Sequence, residues 1–342
     1  MAEPRRSLRI QVQQAAALEK QPLHLQLPVD FIRVGGRYRV GKPLGSGRSG
    51  SVYLGKDIFK DSEVVLKIGP ADNSRIIHEY HVYKTIAGSI GISPVRWYGI
   101  ESDYEVIVLE NLGTSIGDLI STHQFDHGKT FFFASQMLSV VESLHSRSYI
   151  HCDIKPGNFM IRSSDSDNPT KMSHMTVFLI DLALAKLFRE PATYLHIPHS
   201  RCQSIVGTLP FTSINAQKWH TQSRRDDLES LAYTIIFLVC GNLPWSRLST
   251  KEAILRKKLS TTVEELCKGL PAPFCEFVTH VCSLDFDKKP DYPLLHSILT
   301  QCSQTEADHG GICRVAGLCT STPRCNTSPR GSVWNRPQSQ FL

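Results

Sequence analysis

The sequence predicts an α+β fold in two parts: a small β-rich N-terminal part with one main helix, and a larger, mostly helical C-terminal part. Three observations carry this. Short runs rich in β-branched residues, set apart by Gly or charged turns, follow one another from Tyr38. After Gly113 the texture changes, and apolar residues recur at helical spacing over longer stretches. Hydrophobic residues make up 41% of the 342, enough for a sizeable core and too many for a globally disordered chain.

Residues 1–34 mix charge, Gln and Ala with little apolar periodicity, and are expected to be a flexible leader. Strands are expected over 40–44, 51–54, 64–68 and 106–109. Between them, Ile76, Ile77, Tyr80, Tyr83 and Ile86 recur at helical spacing. Phe133, Met137, Val141 and Leu144 trace one face of a long helix. Leu228, Leu231, Ile235, Ile236 and Val239 trace another, apolar enough to be a core helix. Two short strands, 159–161 and 177–180, flank a polar surface loop over 162–176. The expected folded domain is 35–302, with its first part about 35–112 and its second about 113–302. Residues 303–342 are rich in Ser, Thr, Pro, Gly and Gln and read as a disordered tail.

Several classes are set aside by composition. No apolar run reaches the ~20 residues that span a bilayer, so no membrane insertion is expected. The start lacks the apolar stretch of a secretory signal. Ten cysteines are scattered without a CxxC pair, which argues against a zinc site or a disulfide framework and for an intracellular location, cytoplasmic or nuclear. The net charge of +6 suits acidic partners without demanding nucleic acid.

Phosphate-handling residues stand out against this background. Leu44 leads into Gly45-Ser46-Gly47-Arg48-Ser49-Gly50-Ser51-Val52, which fits G-x-G-x-x-G-x-V. A strand–turn–strand with three glycines can lay backbone N–H groups close over a triphosphate. Val64-Val65-Leu66-Lys67 is a strand ending in a lysine that can hold the α- and β-phosphates. Glu79, on the helix that follows, can pair with that lysine and fix its direction. His151-Cys152-Asp153-Ile154-Lys155-Pro156-Gly157-Asn158 keeps H-x-D-x-K-x-x-N. There Asp153 can accept the proton of an attacking hydroxyl, Lys155 can neutralise charge on a transferred phosphoryl group, and Asn158 can hold Mg²⁺. Asp181, in Asp181-Leu182-Ala183 at a strand end, offers a hard oxygen ligand for Mg²⁺.

Further runs give the pattern a family likeness. Ser223-Arg224-Arg225-Asp226-Asp227-Leu228-Glu229-Ser230-Leu231 and Ser213-Ile214-Asn215 resemble signatures of the casein kinase 1 family of eukaryotic Ser/Thr protein kinases. Gly241-Asn242-Leu243-Pro244-Trp245, Glu265-Leu266-Cys267-Lys268-Gly269 and Lys289-Pro290-Asp291-Tyr292 are similar to it as well. The likeness runs from about Tyr38 to Cys302. It implies the bilobal protein-kinase fold, with ATP and Mg²⁺ as cofactors and acidic protein substrates, in a monomer. It also implies that Val52, Val65, Met160 and Ile180 sandwich adenine, that Glu110 and Leu112 offer backbone groups to it, and that Asp227 braces the catalytic loop.

Cys152, Leu182, Ala183, Ser49 and Pro210 depart from the family pattern. Ala183 stands where a glycine is usual and leaves open a catalytically dead scaffold on the same fold, while Lys67, Glu79, Asp153, Asn158 and Asp181 argue for an active enzyme. A small-molecule kinase on this fold is the third reading. Cys152 replaces an arginine that would pair with an activation-loop phosphate, which implies activity without such phosphorylation. Pro210 replaces an arginine that would face an anion. Arg201, Arg224 and the run Arg256-Lys257-Lys258 read as a diffuse positive field, and that run alternatively as a solvated helix face.

Overall fold

The five strands that begin at Tyr38 join one before them, Arg33–Val34, in a six-stranded antiparallel sheet in the computed structural model, which describes residues 33–47, 50–72, 74–121, 127–165 and 172–308. The expected leader through residue 32, the loop tip Arg48-Ser49, part of the 162–176 loop and the tail from residue 309 lie outside the described residues. Two compact units divide the chain, one holding residues up to 85 with 93–111, the other 86–92 with 112 onward. The α+β fold expected from the sequence is the one observed, with a β-sheet region first and a helical region after it.

In the first unit the strands are β1 (Arg33–Val34), β2 (Tyr38–Gly47), β3 (Gly50–Asp57), β4 (Ser62–Pro70), β5 (Val95–Glu101) and β6 (Tyr104–Glu110). They pair in the order β1-β2-β3-β4-β6-β5. Side chains alternate across a strand, so register decides which residues share a face. Tyr53, Val64, Leu66, Ile68, Val106 and Val108 close on Val34 and Tyr38 as one core. Val52 pairs with Lys67 and Leu54 with Val65, which puts Val52, Val65 and Lys67 on the opposite face. The helix α1 (Ser74–Thr85) buries Ile76, Glu79 and Tyr83 and leaves Ile77 exposed.

Two differences from the sequence expectation lie here. Val34 falls in the expected leader, yet it pairs with Tyr38 and is fully buried. Val34 is followed at once by Gly35-Gly36, which breaks any alternation that would mark a strand. The strand β5 had no alternation to betray it, because it is a sheet edge whose residues are mostly half-exposed.

In the second unit β7 (Thr114–Ser115) and α2 (Ile116–Ser121) precede the long helix α3 (His127–Ser146). Then come β8 (Tyr149–Ile150), β9 (Phe159–Ser163), β10 (Met175–Leu179) and β11 (Lys186–Leu187). The helices α4 (Ile214–Gln217), α5 (Arg224–Cys240), α6 (Lys251–Ser260), α7 (Val263–Leu266), α8 (Ala272–Cys282) and α9 (Tyr292–Asp308) complete it. The helix α3 packs against α5 and α9, burying Phe131, Met137, Val141 and Leu144 with Leu228, Leu231, Ile235, Leu295 and Leu299. Each such side chain contributes roughly 1.5–3 kcal/mol on leaving water.

Residues 86–92 belong with this unit and not with the sheet that surrounds them in sequence. The backbone explains why: Ile90 N–H donates to the Ser143 hydroxyl at 3.1 Å, and Leu179 N–H donates to the Gly91 carbonyl at 2.8 Å. The last helix continues to Asp308, six residues beyond the expected end of the domain at Cys302. Cys302 is fully buried, so the helix still has a core-facing residue where the composition turns polar.

Candidate active site

Within the first unit, β2 and β3 form the glycine-rich hairpin. Gly50 has φ +124°, and a Cβ there would lie 2.5 Å from the Ile68 carbonyl oxygen, so only glycine lets β3 approach β4 this closely. A Cβ at Gly45 or Gly47 would meet nothing within 4 Å, which leaves open space beside the backbone where a phosphate group can approach. Ser46 pairs with Ser51, and Leu44 before them is exposed. On the face opposite the core, Val52 and Val65 are half-buried beside Lys67.

The Lys67 ammonium meets Glu79 Oε2 at 2.6 Å, and both side chains are buried. Such a pair needs good geometry to offset the cost of taking two charges out of water. Its visible effect is direction, since the lysine is held by a helix rather than left to its own rotamers. Glu110 ends β6 with its carboxylate 2.8 Å from Arg96.

Within the second unit, the loop between β8 and β9 gathers the remaining candidates. Asp153 accepts a 2.7 Å hydrogen bond from the Thr208 hydroxyl at Oδ1. Its Oδ2 lies 2.9 Å from Lys155 Nζ and 3.4 Å from Asn158 Nδ2. Lys155 also donates to Thr208 Oγ1 at 3.1 Å. Pro156 opens a single tight turn, Pro156–Asn158, that folds Asn158 back so that its amide donates to the Asp153 carbonyl at 2.9 Å. This bond turns the amide oxygen away from Asp153.

Asp227, at the start of α5, holds the loop. Its two carboxylate oxygens accept the backbone N–H groups of His151 at 2.7 Å and Cys152 at 2.9 Å. Its Oδ2 also lies 3.0 Å from His145 Nε2, which must carry a proton because a carboxylate only accepts. Burial pushes the Asp227 carboxyl up, but the His145 contact and the backbone donors outweigh it and hold the group below its ordinary range. This bracing allows Cys152 to keep φ +67°, which costs a non-glycine residue about 1 kcal/mol.

His151 transmits the order onward. Its Nδ1 accepts from the Asp153 N–H at 3.2 Å, so Nε2 carries the proton and donates to the Ile180 carbonyl at 3.0 Å. Ile180 N–H donates in turn to the Asn158 carbonyl at 2.9 Å. Both backbone groups of Ile180 are thus tied to the loop, and Asp181 follows at φ +63°, again in the left-handed region. Met160 and Ile180 are half-buried beside these groups, and Leu112 is buried at the start of the unit.

Ala183 sits inside the short turn Leu182–Leu184, is buried, and has no positive φ. The strained angle that would favour glycine falls instead on Asp181. Cys152 packs with Ile150 and Phe188, joined by Leu184 and Val206, and burial pushes its thiol well above the ordinary range.

Thr208 and His145 were not picked out as site residues from the sequence. The adjacent Gly207 was the available signal for the first. Gly207 has φ +106°, and a Cβ there would lie 2.7 Å from the Cys152 carbonyl oxygen, so the chain passes directly over the loop that carries Asp153. For His145 a polar residue on an apolar helix face gave no hint of its partner. Two basic residues read as possible surface charge are not on the surface. Arg224 is buried over the Phe188 ring and donates to the Asp287 carbonyl at 2.8 Å. Lys258 is buried against α5. No helix among the described residues is long and apolar enough to cross a membrane. A sequence model of the protein kinase domain matches residues 38–299.

Proposed function

The chain belongs to the protein kinase domain family, and from that premise we propose that it is an active Ser/Thr protein kinase of the casein kinase 1 kind, acting on acidic proteins. The observation that carries this reading is the setting of Asp153. One carboxylate oxygen is engaged by Thr208 and the other by Lys155 and Asn158, in a loop braced by Asp227. A scaffold with no chemistry to perform has no use for a carboxylate kept buried with two donors and a lysine upon it.

In this reading the acceptor hydroxyl attacks the γ-phosphorus, the bond to the ADP oxygen breaks, and the hydroxyl proton passes to Asp153. Lys155 offsets charge on the transferred group. Lys67, aimed by Glu79, holds the α- and β-phosphates under the hairpin from Leu44 through Gly50. Asn158 and Asp181 would hold Mg²⁺. Their donor set fits it, because Mg²⁺ takes one or two hard oxygens from the protein and completes its shell with water and phosphate. When bound, the metal neutralises charge on the β- and γ-phosphates.

The rival reading, a pseudokinase scaffold, rested on Ala183. The backbone at Ala183 asks nothing that alanine cannot supply. Acidic peptides carrying Ser, Thr or Tyr acceptors, incubated with the protein and [γ-³²P]ATP, test the proposal. Label on Ser and Thr peptides alone is expected; no label on any favours the scaffold.

Regulation follows from Cys152. Where a guanidinium would wait for a phosphate, an apolar cluster holds the segment. The β8–β11 pairing and the bonds Phe188 N–H to Ser148 O and Cys202 N–H to Trp219 O add to it. Phosphatase treatment is therefore expected to leave activity within about twofold, since Cys152 cannot pair with a phosphate to order the loop. Activity lost on that treatment and regained on rephosphorylation between Asp181 and Asn215 contradicts this.

Substrate choice follows from Pro210, which has neither charge nor backbone N–H for an anion. With Arg224 and Lys258 buried, Arg201, Arg256 and Lys257 are what remains exposed of the basic groups considered. Acidic substrates are still preferred, through their diffuse field. A phosphoserine three residues before the target is expected to raise kcat/KM by less than a hundredfold, about 2.7 kcal/mol. A larger gain requires an intact phosphate pocket and contradicts the role given to Pro210.

A further inference from the structure

Lys258 closes the run Arg256-Lys257-Lys258 on α6. Its two neighbours are exposed, whereas Lys258 is 3% exposed. Its ammonium donates to the Thr212 carbonyl at 2.5 Å and to the Leu209 carbonyl at 3.1 Å. The same nitrogen lies 4.8 Å from the Tyr233 ring centroid and 5.1 Å from that of Trp245. Burial pushes the ammonium toward its neutral form, and the nearby Glu229 carboxylate favours the cation. A buried ammonium is costly unless its donors are met. Here they meet two carbonyls, with two ring faces and a carboxylate close by.

The stretch that Lys258 grips is held from other sides too. Gln217 Nε2 donates to the Leu209 carbonyl at 3.0 Å, and Trp245 Nε1 donates to the Pro210 carbonyl at 2.8 Å. Glu229 accepts the Ile214 N–H at 2.7 Å and the Tyr233 hydroxyl at 2.7 Å. Thr212 is the link to the catalytic loop. Its N–H and its hydroxyl both donate to the Thr208 carbonyl, at 3.0 and 2.9 Å, while its own carbonyl takes Lys258. Thr208 then places its hydroxyl 2.7 Å from Asp153. A continuous path of short bonds runs from Lys258 through Thr212 and Thr208 to Asp153.

We infer that Lys258 is a positioning residue for phosphoryl transfer: it fixes the turn over 208–213 and thereby the alignment of Thr208 with Asp153. The inference rests on the reading of Asp153 as the catalytic base. Lys258 is buried, and its ammonium donates to backbone carbonyls of this chain. It acts through the backbone, and a misplacement of about 1 Å at a reacting group can cost about 10²-fold in rate. An exposed lysine in the same run, Lys257, has no such path.

Lys258→Met keeps the length and apolar stem but removes the donors. The expected result is a fall in kcat of about 10²-fold with KM for ATP unchanged, as expected of lost alignment. Lys258→Arg, which can still donate, recovers part of the loss. Hydrogen exchange gives a readout independent of turnover: the Phe211 and Thr212 amides, bonded to the Thr208 carbonyl, exchange faster in Lys258→Met while those of α5 do not. Wild-type kcat in a folded Lys258→Met protein overturns the inference. So does uniform loosening of all amides, in both Lys258→Met and the milder Lys258→Gln, which marks Lys258 as a residue of general core stability. Locally faster exchange in a protein whose wild type transfers no phosphate leaves the grip on the turn standing and removes the catalytic reading of Asp153 instead.

Discussion

Asp153→Asn is expected to lower kcat by about 10²–10⁴-fold, the usual contribution of a positioned general base. That span corresponds to roughly 2.7–5.5 kcal/mol of barrier. The substitution keeps the size of the side chain and an oxygen able to accept from Thr208 or Lys155, so the loop stays in place. In the proposed mechanism, what is lost is the carboxylate that takes the hydroxyl proton. Nucleotide affinity should be nearly unchanged, because in the proposed mechanism Asp153 acts on the acceptor. Measuring kcat by peptide phosphorylation and nucleotide affinity by calorimetry separates the two effects. A large drop in nucleotide affinity with little change in kcat contradicts the assignment.

Asp227→Ala is expected to have the largest effect on the folded state itself. The Asp227 carboxylate satisfies two backbone N–H groups and faces His145, all buried. Removing it leaves these donors unmet and withdraws the brace that holds Cys152 in the left-handed region. Breaking a buried charged pair of this kind costs about 3–5 kcal/mol. At about 2–4 °C per kcal/mol for a domain of this class, the melting temperature should fall by roughly 6–20 °C. Turnover should be lost even well below the melting point, since the loop that carries Asp153 is no longer pinned. The pH dependence has a definite sign. Because the folded carboxyl is held below its ordinary range, its contribution is complete above about pH 4 and is lost as pH falls through the folded value. A melting temperature within a degree or two of the wild type's contradicts the bracing role.

The candidate site residues were legible in the sequence because their spacing is dictated by local geometry. Asp153, Lys155 and Asn158 lie within one loop and one tight turn, so six positions fix their relation. The strand carrying Lys67 and the helix carrying Glu79 each show their own period. What escaped the sequence depends on distant partners. The strand β5 is an edge without alternation. Val34 is buried by strands that come later in the chain. Lys258 and Arg224 read as surface charge because a basic side chain ordinarily stays in water. Their burial is possible through carbonyls of Leu209, Thr212 and Asp287, 46 to 63 residues away, which no local window contains. Thr208 was missed for the same reason, since its partner Asp153 lies 55 residues before it.

The reading of this chain as an active protein kinase is tested most directly by phosphate transfer from [γ-³²P]ATP to casein by the purified wild-type protein, with and without Mg²⁺. Steady incorporation of label on Ser and Thr, abolished by chelating the metal, is the result predicted. Binding of Mg·ATP without any transfer would contradict it and would leave the chain a nucleotide-binding scaffold with the kinase fold.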